Sequence, residues 1–161
     1  MKIIVALDVN GEWHEVLADT RDTLLELLRD RLGMTGTKEG CSNGNCGSCT
    51  VLLEGEPVCA CLMLAAETAD ARVTTIEGVA RGNDLHPVQA ALIQHGGTQC
   101  GFCTPGIVLS AVALLERNPR PGDADIRHAI AGNLCRCTGY DKIVDAVAAV
   151  AVGTTRSRGA V

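Results

Sequence analysis

The sequence predicts an α+β protein built of two small units: a β-rich half with one helix, followed by four helices. Three observations carry this. Apolar residues alternate through the first nine positions, the signature of a half-buried strand. Helical spacing replaces that alternation from Leu85 onward. The character changes around Ala80 to Asn83, and no internal repeat links the halves. A chain of 161 residues suits one ordinary domain or two small ones. The expected boundaries are residues 1–78 and 79–152, with a loose tail over 153–161.

Each element has its own signal. Ile3, Val5, Leu7 and Val9 alternate with Lys2, Ile4, Ala6 and Asp8, and Asn10-Gly11 then supplies a hairpin turn. Trp13, Val16 and Leu17 belong to the return strand or its exit. A helix is expected from about Thr20, with Leu24, Leu25, Leu27, Leu28 and Leu32 on its apolar face and Gly33 as its stop. "TVLLEGEPV" reads as a second hairpin turning at Glu54-Gly55, and "ARVTTIEGV" as the last strand. In the second half Pro87 opens a helix through Val88, Ala91, Leu92 and His95. Thr104-Pro105 reads as an N-cap followed by Pro at the first helical position. Asp123 caps a third helix through Ile126, Ala129 and Ile130. A fourth, starting near Thr138-Gly139, carries Ile143, Val144, Val147 and Val150.

Composition excludes several function classes. The formal net charge of −5, with no Lys/Arg cluster, argues against a nucleic-acid surface. Phe102, Trp13 and Tyr140 are the only aromatic residues, too few for a base-stacking platform or a self-contained aromatic pocket. No stretch approaches a membrane span. The apolar run Ile3 to Leu7 is too short for a signal peptide, so the expected compartment is the cytoplasm. Nine cysteines in a cytoplasmic chain read as metal ligands rather than disulfides, and the odd number leaves one over. The four histidines get the plain reading: His14 and His128 solvated, His86 shaping a loop, His95 at a helix C-terminus.

Four cysteines fall at C-x4-C-x2-C-x11-C: Cys41, Cys46, Cys49 and Cys61. The x4 then x2 spacing is that of a plant-type [2Fe–2S] site. Cluster sulfur is a diffuse acceptor, and a loop wraps it with N–H donors only where its backbone is free. Gly40, Gly44 and Gly47 supply that freedom, and Asn43 and Asn45 tolerate it. A zinc knuckle would place its second pair much further away. Alternation does not separate Cys59 from Cys61 as the fourth ligand, because both point the same way. The plain reading of Cys59 is a small buried hydrophobe with a thiol. A second set, Cys100-x2-Cys103 and Cys135-x-Cys137, sits at expected helix starts, where free N–H groups suit a net-negative cluster. Spacing alone leaves iron–sulfur and zinc both open for this set. With oxidised [2Fe–2S] centres at both sites, eight thiolates and two dipositive cores take the formal charge from −5 to −9. Burying that charge requires many N–H donors and a covering surface.

"TGTKEGCSNGNCGSCTVLLEGEPVCACLMLA", "GTQCGFCTPG" and "AGNLCRCTGY", in that order, resemble the small iron–sulfur subunit of the molybdenum hydroxylases, the xanthine dehydrogenase/aldehyde oxidase family. The resemblance covers about residues 1 to 150. It implies a plant-ferredoxin-like β-grasp domain followed by a four-helix domain with its own [2Fe–2S] site. It implies Cys61 as the fourth ligand of the first site, since "CLMLA" matches the family pattern and Cys59 falls at a variable position. Gln99 would contact the pterin of the molybdenum cofactor, a molybdopterin carrying cytosine dinucleotide, and Cys137 would be the ligand nearest it. The implied partners are a molybdenum-binding large subunit and an FAD-binding medium subunit, in a dimer of heterotrimers. The implied role is an electron relay from molybdenum through the second site, then the first, to FAD, with no catalytic residue in this chain. The implied substrate is an N-heterocycle, purine, ketone or aldehyde. Rival readings are the small subunit of an aerobic carbon monoxide dehydrogenase, a free-standing ferredoxin-like carrier and a zinc-stabilised interaction module. "TGTKEGC" leans toward the heterocycle and aldehyde enzymes, and Ser42-Asn43-Gly44 departs from the carbon monoxide pattern.

Overall fold

The computed structural model describes residues 1–153. Strands β1 (Lys2–Val9) and β2 (Glu12–Asp19) form the expected hairpin. Asn10 and Gly11 both take positive φ, 58° and 86°, as a two-residue turn matched to strand twist requires. β3 (Thr50–Leu53) and β4 (Glu56–Cys59) repeat the device, with Glu54 at 51° and Gly55 at 86°. β5 (Arg72–Thr74) lies between the hairpins, parallel to β1 and antiparallel to β3. The mixed five-stranded sheet therefore has the order β2-β1-β5-β3-β4. The strand expected over "ARVTTIEGV" is confined to β5, because Ile76–Gly78 closes into a 3₁₀ turn.

Beneath the sheet, α1 (Leu24–Glu26) continues as a π-turn over Leu27–Arg31. It begins four residues later than the helix expected from Thr20. Asp19 to Asp22 are held in a turn, with the Asp22 N–H on the Asp19 carbonyl at 2.9 Å. Thr23 then caps the helix: its Oγ1 accepts the Glu26 N–H, and the Glu26 carboxylate accepts the Thr23 N–H at 2.7 Å. Leu24, Leu25, Leu27 and Leu28 are buried with Val5, Leu7, Val9 and Val51 in a first core.

The second half holds α2 (Pro87–Gln94), α3 (Thr104–Arg117), α4 (Asp123–Ile130) and α5 (Asp141–Ala151). α3 is the axis of this half, buried continuously from Pro105 to Leu114. Val88, Leu92, Ile126, Ile130, Ile143 and Val147 surround it in a second core. Burying each such side chain contributes about 1.5–3 kcal/mol before the entropy cost of ordering it. β3 serves both cores, Val51 entering the first and Leu52 the second.

Three helix starts differ from expectation by one to three residues. Cys103, not Thr104, is the N-cap of α3. Gly122, not Asp123, caps α4, its N–H held by the Asp125 carboxylate at 2.9 Å. α5 begins at Asp141 after Tyr140, which takes φ 71°. Two histidines also differ. His86 is the N-cap of α2, its Nδ1 accepting the Val88 N–H at 3.2 Å. His14 is half-buried, with a buried, partnerless Nε2, rather than solvated. The expectation of a loose tail falls on residues 154–161, outside those described.

Candidate iron–sulfur centres

The first cysteine loop enters from the α1 end of the sheet. The Arg29 guanidinium donates to the Thr35 and Thr37 carbonyls at 3.1 and 2.7 Å and sets that entry. Within the loop, Ser42, Gly44 and Gly47 take positive φ, so Ser42 does what was expected of Asn43 and Asn45. Gly40 has ordinary φ but leaves no room: a Cβ there would lie 2.9 Å from the Cys46 sulfur. The turn aims N–H groups at sulfur. The Cys46 N–H reaches the Cys41 sulfur at 3.4 Å. Donation from the Asn43 backbone, then from Cys46, pulls the Cys41 thiol down to about 7. Cys49 is the opposite case, its thiol pushed up to about 12 by burial.

Cys61 is buried and adjoins Cys49. Cys59, on the last residue of β4, is half-buried, also within reach of Cys49, and its thiol donates to the Gly44 carbonyl at 3.8 Å. Burial, then the neighbouring Cys61, raises the Cys59 pKa. Both cysteines thus adjoin Cys49, and they differ in burial, Cys61 being the more deeply buried.

The second set gathers from two loops. Cys103 stands at the start of α3, as expected, but Cys135 and Cys137 lie in the loop before α5, not at its start. The Cys100 and Cys137 sulfurs are 3.6 Å apart and exposed, beside exposed Gln99. Cys103 is buried, and its thiol is pushed up to about 12 by burial, then by neighbouring Cys135. Burial alone would raise Cys135. Hydrogen bonds from Thr138, whose Oγ1 is 3.1 Å away, and from the Cys137 and Thr138 backbone together reverse that and lower it. The Tyr140 hydroxyl accepts the Cys135 N–H at 2.7 Å and donates to the Asn133 carbonyl at 3.2 Å. The two loops meet where the Leu134 N–H donates to the Cys46 carbonyl at 2.8 Å. Phe102 also reaches across: a Cβ on Gly40 would lie 3.3 Å from its ring.

Among the described residues, no group of three or more His, Cys, Asp or Glu converges as around one bare ion. Four thiolates spread about a two-iron, two-sulfide core need a wider cradle than that. The residues fit such a core. Each site offers four soft sulfur donors. The first has N–H groups directed at sulfur and a glycine where any side chain would strike a cysteine sulfur.

Sequence reasoning missed Asn133, Thr138 and the hydroxyl of Tyr140. In the sequence Thr138-Gly139 reads as a helix start and Thr138-Gly139-Tyr140 as part of a motif, and neither signals these hydrogen bonds.

Residues 7–76 match the family described as "2Fe-2S iron-sulfur cluster binding domain" and residues 75–148 the one described as "[2Fe-2S] binding domain". The nicotinate dehydrogenase small FeS subunit of Eubacterium barkeri is 47% identical over 146 residues, covering 91% of this chain and 93% of its own. The aldehyde oxidoreductase of Megalodesulfovibrio gigas is 46% identical over 144 residues, covering 88% of this chain but 16% of its own. In the crystal structure of quinoline 2-oxidoreductase from Pseudomonas putida 86, one chain superposes with TM-score 0.92 at 39% identity, covering 99% of both.

Proposed function

Because the chain belongs to the family of small [2Fe–2S] subunits of the molybdenum hydroxylases, we propose a specific relay through it. The chain is a non-catalytic electron-transfer subunit of an oxidoreductase. Its first site is Cys41, Cys46, Cys49 and Cys61, in a ferredoxin-type β-grasp domain over residues 1–78. Its second is Cys100, Cys103, Cys135 and Cys137, in a four-helix domain over residues 79–152. A [2Fe–2S] cluster bound at each supplies one-electron redox chemistry.

The chain's own residues supply position and charge compensation. Backbone N–H groups of Asn43 and Cys46 stabilise sulfur-borne charge at the first site. Thr138 and its neighbours do so at the second. The single observation that carries the order is the exposure of one end. Cys100, Cys137 and Gln99 face outward, and this end meets the molybdopterin cytosine dinucleotide of a large subunit, Gln99 touching the pterin. Electrons enter there, cross to the first site and leave for FAD in a medium subunit. The assembly is a dimer of heterotrimers in the cytoplasm. Among the described residues no helix is long and apolar enough to cross a membrane.

The substrate class is an N-heterocycle or an aldehyde. The relatives named for nicotinate, quinoline and aldehyde support it, as does the loop "TGTKEGC".

The test is Cys46→Ser in the whole complex. Substrate still reduces the molybdenum centre, and flavin reduction is lost. Flavin reduction at the wild-type rate would show that the order is wrong.

A further inference from the structure

Asn133 is 3% exposed, in the loop between α4 and Cys135. Every polar group of its side chain is used, and the partners come from both halves of the molecule. Its Oδ1 accepts from the Ser110 hydroxyl of α3 at 2.7 Å. Its Nδ2 donates to the Gly47 carbonyl at 2.9 Å and to the Thr50 hydroxyl at 3.0 Å. Gly47 lies between the first-site cysteines Cys46 and Cys49, and Thr50 follows Cys49. The Asn133 carbonyl is held by Tyr140, which also holds the Cys135 N–H. One residue further, the Leu134 N–H holds the Cys46 carbonyl.

Two glycines make room for this amide. A Cβ on Gly47 would lie 2.2 Å from the Gly132 carbonyl and 2.8 Å from Asn133 Nδ2. A Cβ on Gly106, in the first turn of α3, would lie 2.5 Å from the Gly47 carbonyl and 2.8 Å from the same Nδ2. Three backbones therefore converge on one side chain. A neutral amide suits the place because it accepts on one side and donates twice on the other. A carboxylate would turn its oxygens on the Gly47 carbonyl.

We propose that Asn133 is the positioning residue that fixes the separation and orientation of the two cysteine sites, and through them the rate of electron passage between the halves. The inference rests on the two-cluster reading above. A fully satisfied buried network has one arrangement, whereas a half-satisfied one relaxes into several. Loss of the amide leaves the two cores intact but frees one loop against the other.

The test uses the whole complex carrying Asn133→Ala, with Thr50→Val as a milder variant that removes one partner from the opposite side. Each is compared with wild type for iron content, the midpoint potential of each cluster, the dipolar coupling between the two reduced clusters read by EPR, and flavin reduction by substrate. The expected result is full iron content and unchanged potentials, with a weakened or broadened coupling and slower flavin reduction, more so in Asn133→Ala. Should Asn133→Ala not assemble, Thr50→Val alone decides. Coupling and flavin rate both at wild-type values in the variants that assemble would overturn the role of Asn133. A wild-type complex with fewer than two clusters per chain would instead overturn the two-cluster reading itself.

Discussion

Cys59 and Cys61 stand two residues apart, and alternation gives them one direction. The chain does not stay extended to honour it. β4 ends at Cys59, and the Leu62 N–H turns back onto the Cys59 carbonyl at 2.9 Å. Cys61 is thereby carried inward beside Cys49, while the Cys59 thiol donates to Gly44. On the ligand assignment proposed above, Cys61 serves the first cluster and Cys59 does not. Cys61→Ser should therefore remove one of the two EPR signals of the reduced protein, and Cys59→Ser should leave both. Loss of a signal in Cys59→Ser with retention in Cys61→Ser would exchange the two assignments. Ligand spacing is a property of sequence, so the two cysteine sets could be grouped from it. Alternation alone could not divide this pair, because the chain turns within three residues of Cys59.

Among the elements, α2 carries a titratable cap. His86 accepts the Val88 N–H through Nδ1, which requires a neutral ring. Burial lowers its pKa from the ordinary 6.5, against a weaker opposing pull from the Glu116 charge. A histidine depressed in the folded state keeps its full contribution above the unfolded pKa. It loses that contribution as pH falls below about 6.5, because the unfolded chain then binds the proton more readily. Asn at the same place caps without titrating. The Tm of His86→Asn minus that of wild type should therefore grow as pH is lowered from 8 to 6. A difference that stays flat over that range would remove the cap from the account. His86 was read as a loop residue because Ser, Thr, Asp and Asn are the usual caps. The capping box of α1 was legible in principle as Thr23-x-x-Glu26. The leucine run drew the helix start earlier, since periodicity marks a buried face but not where the first turn closes. The switch to a π-turn at Leu27 was illegible for the same reason: four of five residues from Leu24 to Leu28 are buried, and no period stands out.

For the whole molecule, the two halves and their order were legible, because each half has its own hydrophobic period. Their joint was not. Beside Leu52 of β3, which packs into the second core, and the Arg117–Glu56 ion pair, it is made by Asn133, two glycines and a backbone hydrogen bond, and these polar contacts carry no period. That joint also orients what the molecule presents outward. With the Leu134 N–H committed to Cys46, its side chain is left 56% exposed, next in sequence to Cys135, and Phe102, next to Cys103, is 45% exposed. Exposed apolar side chains next in sequence to the second-site cysteines offer the kind of apolar rim that a water-excluding contact with a cofactor-bearing partner needs. Leu134→Asp changes that rim without touching the backbone bond or any ligand. A charge forced into a desolvated contact costs about 2 kcal/mol or more, roughly thirtyfold in affinity. Co-expressed with its partners, Leu134→Asp should keep its iron and both EPR signals, yet co-purify with much less molybdenum than wild type. Wild-type molybdenum stoichiometry in that variant would move the large-subunit contact away from this end of the molecule.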